Sequence, residues 1–192
     1  MDARQFKRAE EHREACREKF TALVQAPDFL IAARRWSEFL VEHQRWFTRM
    51  QQAFGRGPSS AWFGKLKARR KADPLLSYLH HARHADEHGL ERIAQGQPSG
   101  AAIGVGGGRV YIERLEIQDG IITHLSGTQN NGSLQVHLSE AHLKLNRVQN
   151  RGVFYNPPIC SELGEPYSAI RAADECLNEM QIASESARNF FS

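Results

Sequence analysis

The densest polar chemistry in the chain lies in one short segment that holds His80, His81, Arg83, His84, Asp86, Glu87 and His88. Imidazoles exchange protons near neutral pH, a guanidinium holds phosphate through a planar fork, and carboxylates orient both. A helix turns about 100° per residue, so with Leu76 at 0° the apolar Leu75, Leu79, Ala82, Leu90 and Ile93 fall between about 240° and 320°. On the same wheel Arg83 falls at about 340° and Asp86 at about 280°, in or beside that stripe and three positions apart, where they can meet. His81 and His88 fall on the opposite side. A charged pair in an apolar face is costly unless it is satisfied or used. Two readings follow: a structural Arg83–Asp86 ion pair, or a polar site at a bundle or subunit interface. His80, His84 and His88 step by four, a spacing that offers a metal two ligands at most on one helix. With no HExxH or ExxH in the chain, no metal site is expected.

A basic stretch precedes this segment. Between Glu42 and Asp73 stand eight basic residues and no acidic one: Arg45, Arg49, Arg56, Lys65, Lys67, Arg69, Arg70 and Lys71. Trp46, Phe47, Phe54, Trp62 and Phe63 interleave with them. Positive charge binds phosphate and an exposed ring such as Trp62 stacks on unpaired bases, a combination suited to single-stranded RNA. A solvated basic helix has the same composition, and an acidic protein partner would account for the patch equally well.

Arg83-His84-Ala85-Asp86-Glu87-His88 resembles the Arg-x4–6-His signature of HEPN (higher eukaryotes and prokaryotes nucleotide-binding) domains, with a polar residue directly after the Arg. The resemblance covers the helical residues 1–96 and the final helix, and leaves the segment 101–165 outside the pattern. It implies a helical bundle that is commonly a homodimer. It also implies metal-independent endoribonuclease activity, or RNA binding by a relative, in toxin–antitoxin, defence or RNA-processing systems. On that reading Arg83 holds the scissile phosphate and His88 acts as general base or acid. Asp86 or Glu87 orients the Arg or a partner's His, and His84 fills the polar position. Arg83 and His88 lie five positions apart, about 140° around one helix, so a dimer that pairs two copies of the motif is expected. The alternative is a non-catalytic protein-interaction or small-ligand module in which Arg83–Asp86 is structural.

Other motifs carry less. The glycines from Gly100 to Gly108 lack GxGxxG spacing and precede a strand, so they form no dinucleotide loop, and no cofactor is expected. Arg147, Asn150, Arg151, Tyr155 and Asn156 either line a small polar pocket or shape turns with Gly152 and the prolines. Cys16, Cys160 and Cys176 are odd in number and far apart, which suits neither a disulfide framework nor a thiolate metal site.

The elements that must position these residues follow from periodicity. Asp2 caps a helix to about Gln25, with Phe6, Ala9, Cys16, Phe20 and Leu23 in its stripe. Pro27 fits the first turn of a second helix that carries Phe29, Ala33, Trp36, Leu40, Phe47, Met50 and Phe54 and ends at Gly55. A short basic helix spans 61–72. Asp73 and Pro74 open a fourth helix expected to run to Ala94, which carries the His/Arg segment. After Gly100 the period changes to two, with Asp119-Gly120 and Asn130-Asn131-Gly132 as turns and strands at 110–117, 121–125, 134–138, 143–148 and 153–155. Ser168 caps a closing helix with Ile170, Ala173, Leu177, Met180, Ala187 and Phe191 on one face.

The expected fold is therefore α+β, one domain over 1–192. A helical bundle (1–96) carries an inserted antiparallel sheet (101–165), and a closing helix (168–191) packs back on the bundle. Across 192 residues the net charge is only +3, but residues 1–100 hold 18 Lys/Arg against 12 Asp/Glu, while residues 101–192 hold 7 against 10. No run is long and apolar enough for a membrane span and the charged first residues lack a secretory pattern, so a soluble, cytoplasmic protein is expected.

Overall fold

A computed structural model describes residues 1–89, 92–105, 109–118, 121–130, 134–139, 141–161 and 164–191. Its class is α+β and mainly helical. The chain divides into two compact units, Met1–Gln97 with His142–Ser192, and Pro98–Ala141.

In the first unit, α1 (Ala3–Val24) begins where the Asp2 carboxylate accepts the Gln5 amide at 3.1 Å. The next helix, α2 (Phe29–Phe54), is capped by Asp28, whose carboxylate accepts the Ile31 amide at 2.8 Å. Pro27 thus precedes the cap rather than opening the first turn, because a carboxylate satisfies the free N–H groups better than a residue that merely lacks one. α1 and α2 form an antiparallel hairpin, marked by His12 on Glu42 at 2.7 Å and by the Asp2 amide on the Ala53 carbonyl at 3.1 Å. Trp36, Phe39, Leu40, Met50 and Phe54 are fully buried. A 3-10 turn, Gly57–Ser59, leads into α3 (Ser60–Ala72).

α4 (Pro74–Glu87) opens as its sequence predicts: the Asp73 carboxylate accepts the Leu76 amide at 2.9 Å, and Pro74 stands where no N–H is needed. It runs antiparallel to α2, with Ser37 on Asp86 at one end and His80 beside His43 at the other. Its end is earlier than expected. His88 is the C-cap and Gly89 takes a left-handed φ of 63°, donating its amide to the Asp86 carbonyl at 3.2 Å. Glycine adopts that conformation without steric cost, so the helix stops although the apolar spacing continues. The buried Ile93 and Ala94 belong instead to a strand region, β1 (Ala94–Gln97).

The second unit contains β2 (Gly100–Val105) paired antiparallel with β5 (Leu134–Ser139), and β3 (Arg109–Gln118) paired antiparallel with β4 (Ile121–Asn130). Gln118 faces Ile121, the register a two-residue turn requires; residues 119–120 and 131–133, the two expected turns, lie outside the described residues. The expected insertion of 101–165 is too long. The unit ends at Ala141, and the strands that follow belong with the helices. There β6 (His142–Leu145) pairs with β1, and β7 (Val148–Asn150) pairs with β8 (Val153–Tyr155). Leu143, Leu145 and Val148 are buried in the helical core, which claims these strands through apolar burial.

α5 (Ala169–Arg188) is capped by Ser168, whose hydroxyl accepts the Arg171 amide at 3.3 Å. Its buried stripe is made of small residues, Ala169, Ala172, Ala173, Cys176, Ala183 and Ala187, with Met180; Ile170 and Phe191 are exposed. It closes the bundle against α1 through Arg13 on Gln181 and Arg188 on Glu10, and against α3 through Arg69 on Glu179 at 2.6 Å. No helix among the described residues is long and apolar enough to cross a membrane.

Both ends of α4 are testable. Asp73→Ala removes the cap and should lower the unfolding free energy by about 1 kcal/mol. Gly89→Ala, forced into a left-handed φ, should cost at least about 1 kcal/mol. Urea denaturation followed by circular dichroism checks both.

Candidate functional site

The predicted site helix is covered on both sides. α2 packs against one face of α4, and the β7–β8 hairpin lies against the opposite one: the Tyr155 ring stacks on His81 with centroids 3.5 Å apart. The Asn150 amide donates to His81 Nδ1 at 2.9 Å, so that nitrogen carries no proton. The polar cluster around Asn150, Arg151 and Tyr155 therefore joins α4 rather than shaping turns alone. The hairpin turn is Arg151-Gly152, with φ of 51° at Arg151 and 80° at Gly152. Two positive φ angles suit the twist of a tight hairpin, yet the first belongs to an arginine and carries backbone strain.

The imidazoles form a row along α4. His80 meets His81 at 5.1 Å and His84 edge-on at 4.7 Å between centroids. Arginines from three elements act on them: Arg70 from the end of α3 on all three, and Arg83 from α4 and Arg151 from the hairpin on His84. Burial pushes the His84 pKa down, and the charges of Arg83, Arg151, His88 and Arg70 add to it. For His80 burial comes first, then Arg70, His84 and His81, which together hold it at about 4. His81 is lowered by burial, His84 and Arg70. Beneath the row lies His43 of α2, only 4% exposed, where burial, Arg70 and His80 bring its pKa to about 3. At neutral pH the row consists of uncharged imidazoles in a positive field.

Arg70 spans the layers. Its guanidinium lies 3.5 Å over the Phe47 ring and donates to Gln44 at 3.4 Å. Desolvation lowers its pKa to about 10, so it stays protonated at neutral pH. Among the described residues neither Arg70 nor Arg151 has a carboxylate partner.

The five predicted catalytic residues separate. Arg83 keeps 15% of its side-chain surface and is ion-paired with Glu87, not with Asp86. Glu87 is one turn on and one methylene longer, a geometry that suits an i,i+4 pair. Asp86 turns to the other side, where it accepts the Ser37 hydroxyl at 3.2 Å and lines a separate groove. The expected direct Arg83–Asp86 ion pair is thus absent among the described residues; burial lowers the Arg83 pKa, and the nearby Asp86 charge only opposes that shift. His84 is half-exposed beside Glu87, and His88 is exposed at the helix end. Arg83 Nε and His80 Nδ1 are buried without a hydrogen-bond partner among the described residues.

The predicted RNA-contacting residues also divide. Arg45 pairs with Glu42 at 2.6 Å, Arg49 donates to Gln5 and Gln52, and Arg69 pairs with Glu179. Trp62 is not a free stacking ring: it packs edge-on against Phe54 and Phe190, and its Nε1 donates to Ser186 at 3.0 Å. Arg56, Lys65, Lys67 and Lys71 are exposed and have no ion-pair partner among the described residues. Lys67, Arg70 and Lys71 share one face of α3 by spacing. No group of His, Cys, Asp and Glu among the described residues is arranged to hold a metal ion.

No protein-family model, curated protein or solved structure matches this chain.

The buried His43 makes stability depend on pH. Its folded pKa of about 3 lies below the ordinary 6.5, so unfolded chains bind the extra proton. Stability is complete above pH 6.5 and falls as the pH drops toward the folded value. From pH 7 to pH 5, His43 alone should remove about 2 kcal/mol. Urea midpoints measured across this range should show the loss, and His43→Leu should flatten that part of the slope.

Proposed function

We propose that the helical unit binds RNA at the α4 row and cleaves it as a HEPN-like, metal-independent endoribonuclease acting as a homodimer. The observation that carries this reading is the convergence of Arg70, Arg83 and Arg151 on His84, with Arg70 acting also on His80 and His81 and with Glu87 as the one carboxylate ion-paired to these arginines among the described residues. Such a field lacks an anion, and a phosphodiester supplies one. Lys67 and Lys71 extend the positive face along α3.

The chemistry follows from the groups. Cleavage requires removal of the ribose 2′ proton, stabilisation of the pentacoordinate phosphorus and protonation of the departing 5′ oxygen. An imidazole nitrogen that carries no proton accepts one, which suits His84 or His88 to the first step. Arg83 holds the phosphate and its growing negative charge once Glu87 releases it. The imidazolium formed in the first step then delivers its proton to the departing 5′ oxygen, so one histidine serves as base and then as acid. Asp86, turned toward Ser37, takes no part. The products carry a 2′,3′-cyclic phosphate and a 5′ hydroxyl.

The non-catalytic reading is favoured by one specific observation, the ion pair between mostly buried Arg83 and Glu87. Incubation of wild type, Arg83→Ala and His88→Ala with total RNA in EDTA separates the two. Wild-type cleavage with cyclic-phosphate ends, reduced at least 100-fold in both variants, is the expected result. Cleavage that persists in Arg83→Ala overturns the nuclease assignment, and failure of wild type to bind RNA overturns the RNA reading altogether.

Arg151 offers a second test. Arg151→Gly relieves the left-handed strain and should stabilise the fold by about 1 kcal/mol. The same change should weaken RNA binding several-fold and lower the slope of log affinity against log salt by about 0.7. Thermal unfolding and filter binding at several salt concentrations read the two effects.

A further inference from the structure

On the far side of α4 from the histidine row lies a groove of about 550 Å³, between the first half of α2 and the segment Arg92 to Gly96. One wall is helical: Phe29, Leu30 and Ala33 present an apolar surface, with Phe29 38% and Leu30 80% exposed. The other wall is the outer edge of β1. The Asn146 amide donates to the Ile93 carbonyl at 3.0 Å, and Ala94 faces Leu145 in the next register position. In an antiparallel ladder such exchanges alternate, so Gln95 and Gln97 bond to β6 while Ala94 and Gly96 turn their N–H and C=O groups outward. Those groups have no partner among the described residues. At Gly96 a Cβ would stand 2.2 Å from Phe29 Cγ, so the missing side chain lets the ring lie directly against the strand.

We infer that this groove binds an extended peptide segment of a partner protein, which adds as a strand to β1 and carries an apolar residue for the Phe29–Leu30 wall and an acidic residue for Arg92. The open donors and acceptors recur at every second residue, the repeat of an extended chain. The apolar helix face stands where alternate side chains of an added strand would point. Arg92, at the rim, is exposed and has no carboxylate partner among the described residues, which selects negative charge at that end of the groove, the Asp86 carboxylate in the lining being held by the Ser37 hydroxyl. Phe29 and Gly96 place the floor of the groove one ring thickness from the strand, so a side chain enters beside the ring and not beneath it. The site is independent of the histidine row, and neither reading requires the other.

The test is selection of octapeptides from a random synthetic library on the whole protein, followed by amide chemical shifts and hydrogen exchange on the complex. Expected are peptides with an apolar and an acidic residue, bound in the micromolar range, that shift and protect the Ala94 and Gly96 amides. Leu30→Asp and Arg92→Glu, both at exposed positions, should weaken them at least tenfold, while Ile182→Asp on α5 should not. RNA binding should be unchanged in Leu30→Asp, which separates failure here from failure of the nuclease reading. Selection of no peptide, or of peptides that leave the Ala94 and Gly96 amides unprotected or ignore Leu30→Asp, overturns the inference. Protection of those amides by self-association at high concentration overturns it in favour of a second copy.

Discussion

One half-buried guanidinium sets the character of the α4 region. Arg70 rests on the Phe47 ring, reaches Gln44 and leans over His43 and His80, yet no carboxylate among the described residues neutralises it. An aromatic face attracts a cation without supplying negative charge, so the charge of Arg70 is held in place but not cancelled. The imidazoles nearby respond by staying neutral. The same contact ties the end of α3 to α2, and so fixes where α4 must begin, since only Asp73 separates the two helices. Had a carboxylate faced Arg70, the surrounding histidines would be pulled toward protonation and the site would resemble an ordinary surface ion network.

Much of the scaffold was legible because its signals are local. Asp2, Asp73 and Ser168 each cap the helix expected from them, and the buried faces of α1 and α2 follow their spacing from Phe6 and from Trp36 onward, whereas Phe29, expected at the head of the α2 stripe, is exposed. Misreadings arose where one local rule competed with another. At Pro27 and Asp28 two start signals stood side by side, and the one able to accept hydrogen bonds won. At Gly89 a helical apolar period ran on through Ile93, but the period of a strand pointing into the same core is indistinguishable over so few residues. The insertion boundary failed for a related reason. Strands 142–145 and 148–155 look like those before them, and only their burial against helices distant in sequence assigns them elsewhere.

The candidate site divides along the same line. That Arg83 lies mostly buried and that Asp86 faces α2 could be read from angles on one helix. The choice of Glu87 over Asp86 could not, because it turns on side-chain length. The role of His81, placed by its angle on the outer face of the helix, depends on Asn150 and Tyr155, some 70 residues away. A helix seen alone has one buried face and one wet face. α4 has a helix on one side and a hairpin on the other, and its polar residues lie in the seams.

Those seams are where the fold tolerates its costs. Arg151 holds a left-handed backbone, Arg83 Nε and His80 Nδ1 are buried without partners, and His43 is buried as a neutral imidazole. Each such feature disfavours the folded state by something on the order of 1 kcal/mol or more, and most proteins avoid them. Trp36 and Trp46 also bury an indole N–H without a partner, but as single donors within an apolar core rather than as a set. At α4 the costs share a chemistry: every one is a cationic or proton-binding group, on α4 itself or on an element packed against it. On the reading proposed above, a bound phosphate would give Arg83 an acceptor and screen Arg70 from Arg151. This concentration of same-signed, unsatisfied groups distinguishes α4 and its seams from the rest of the bundle, where the remaining buried donors stand singly.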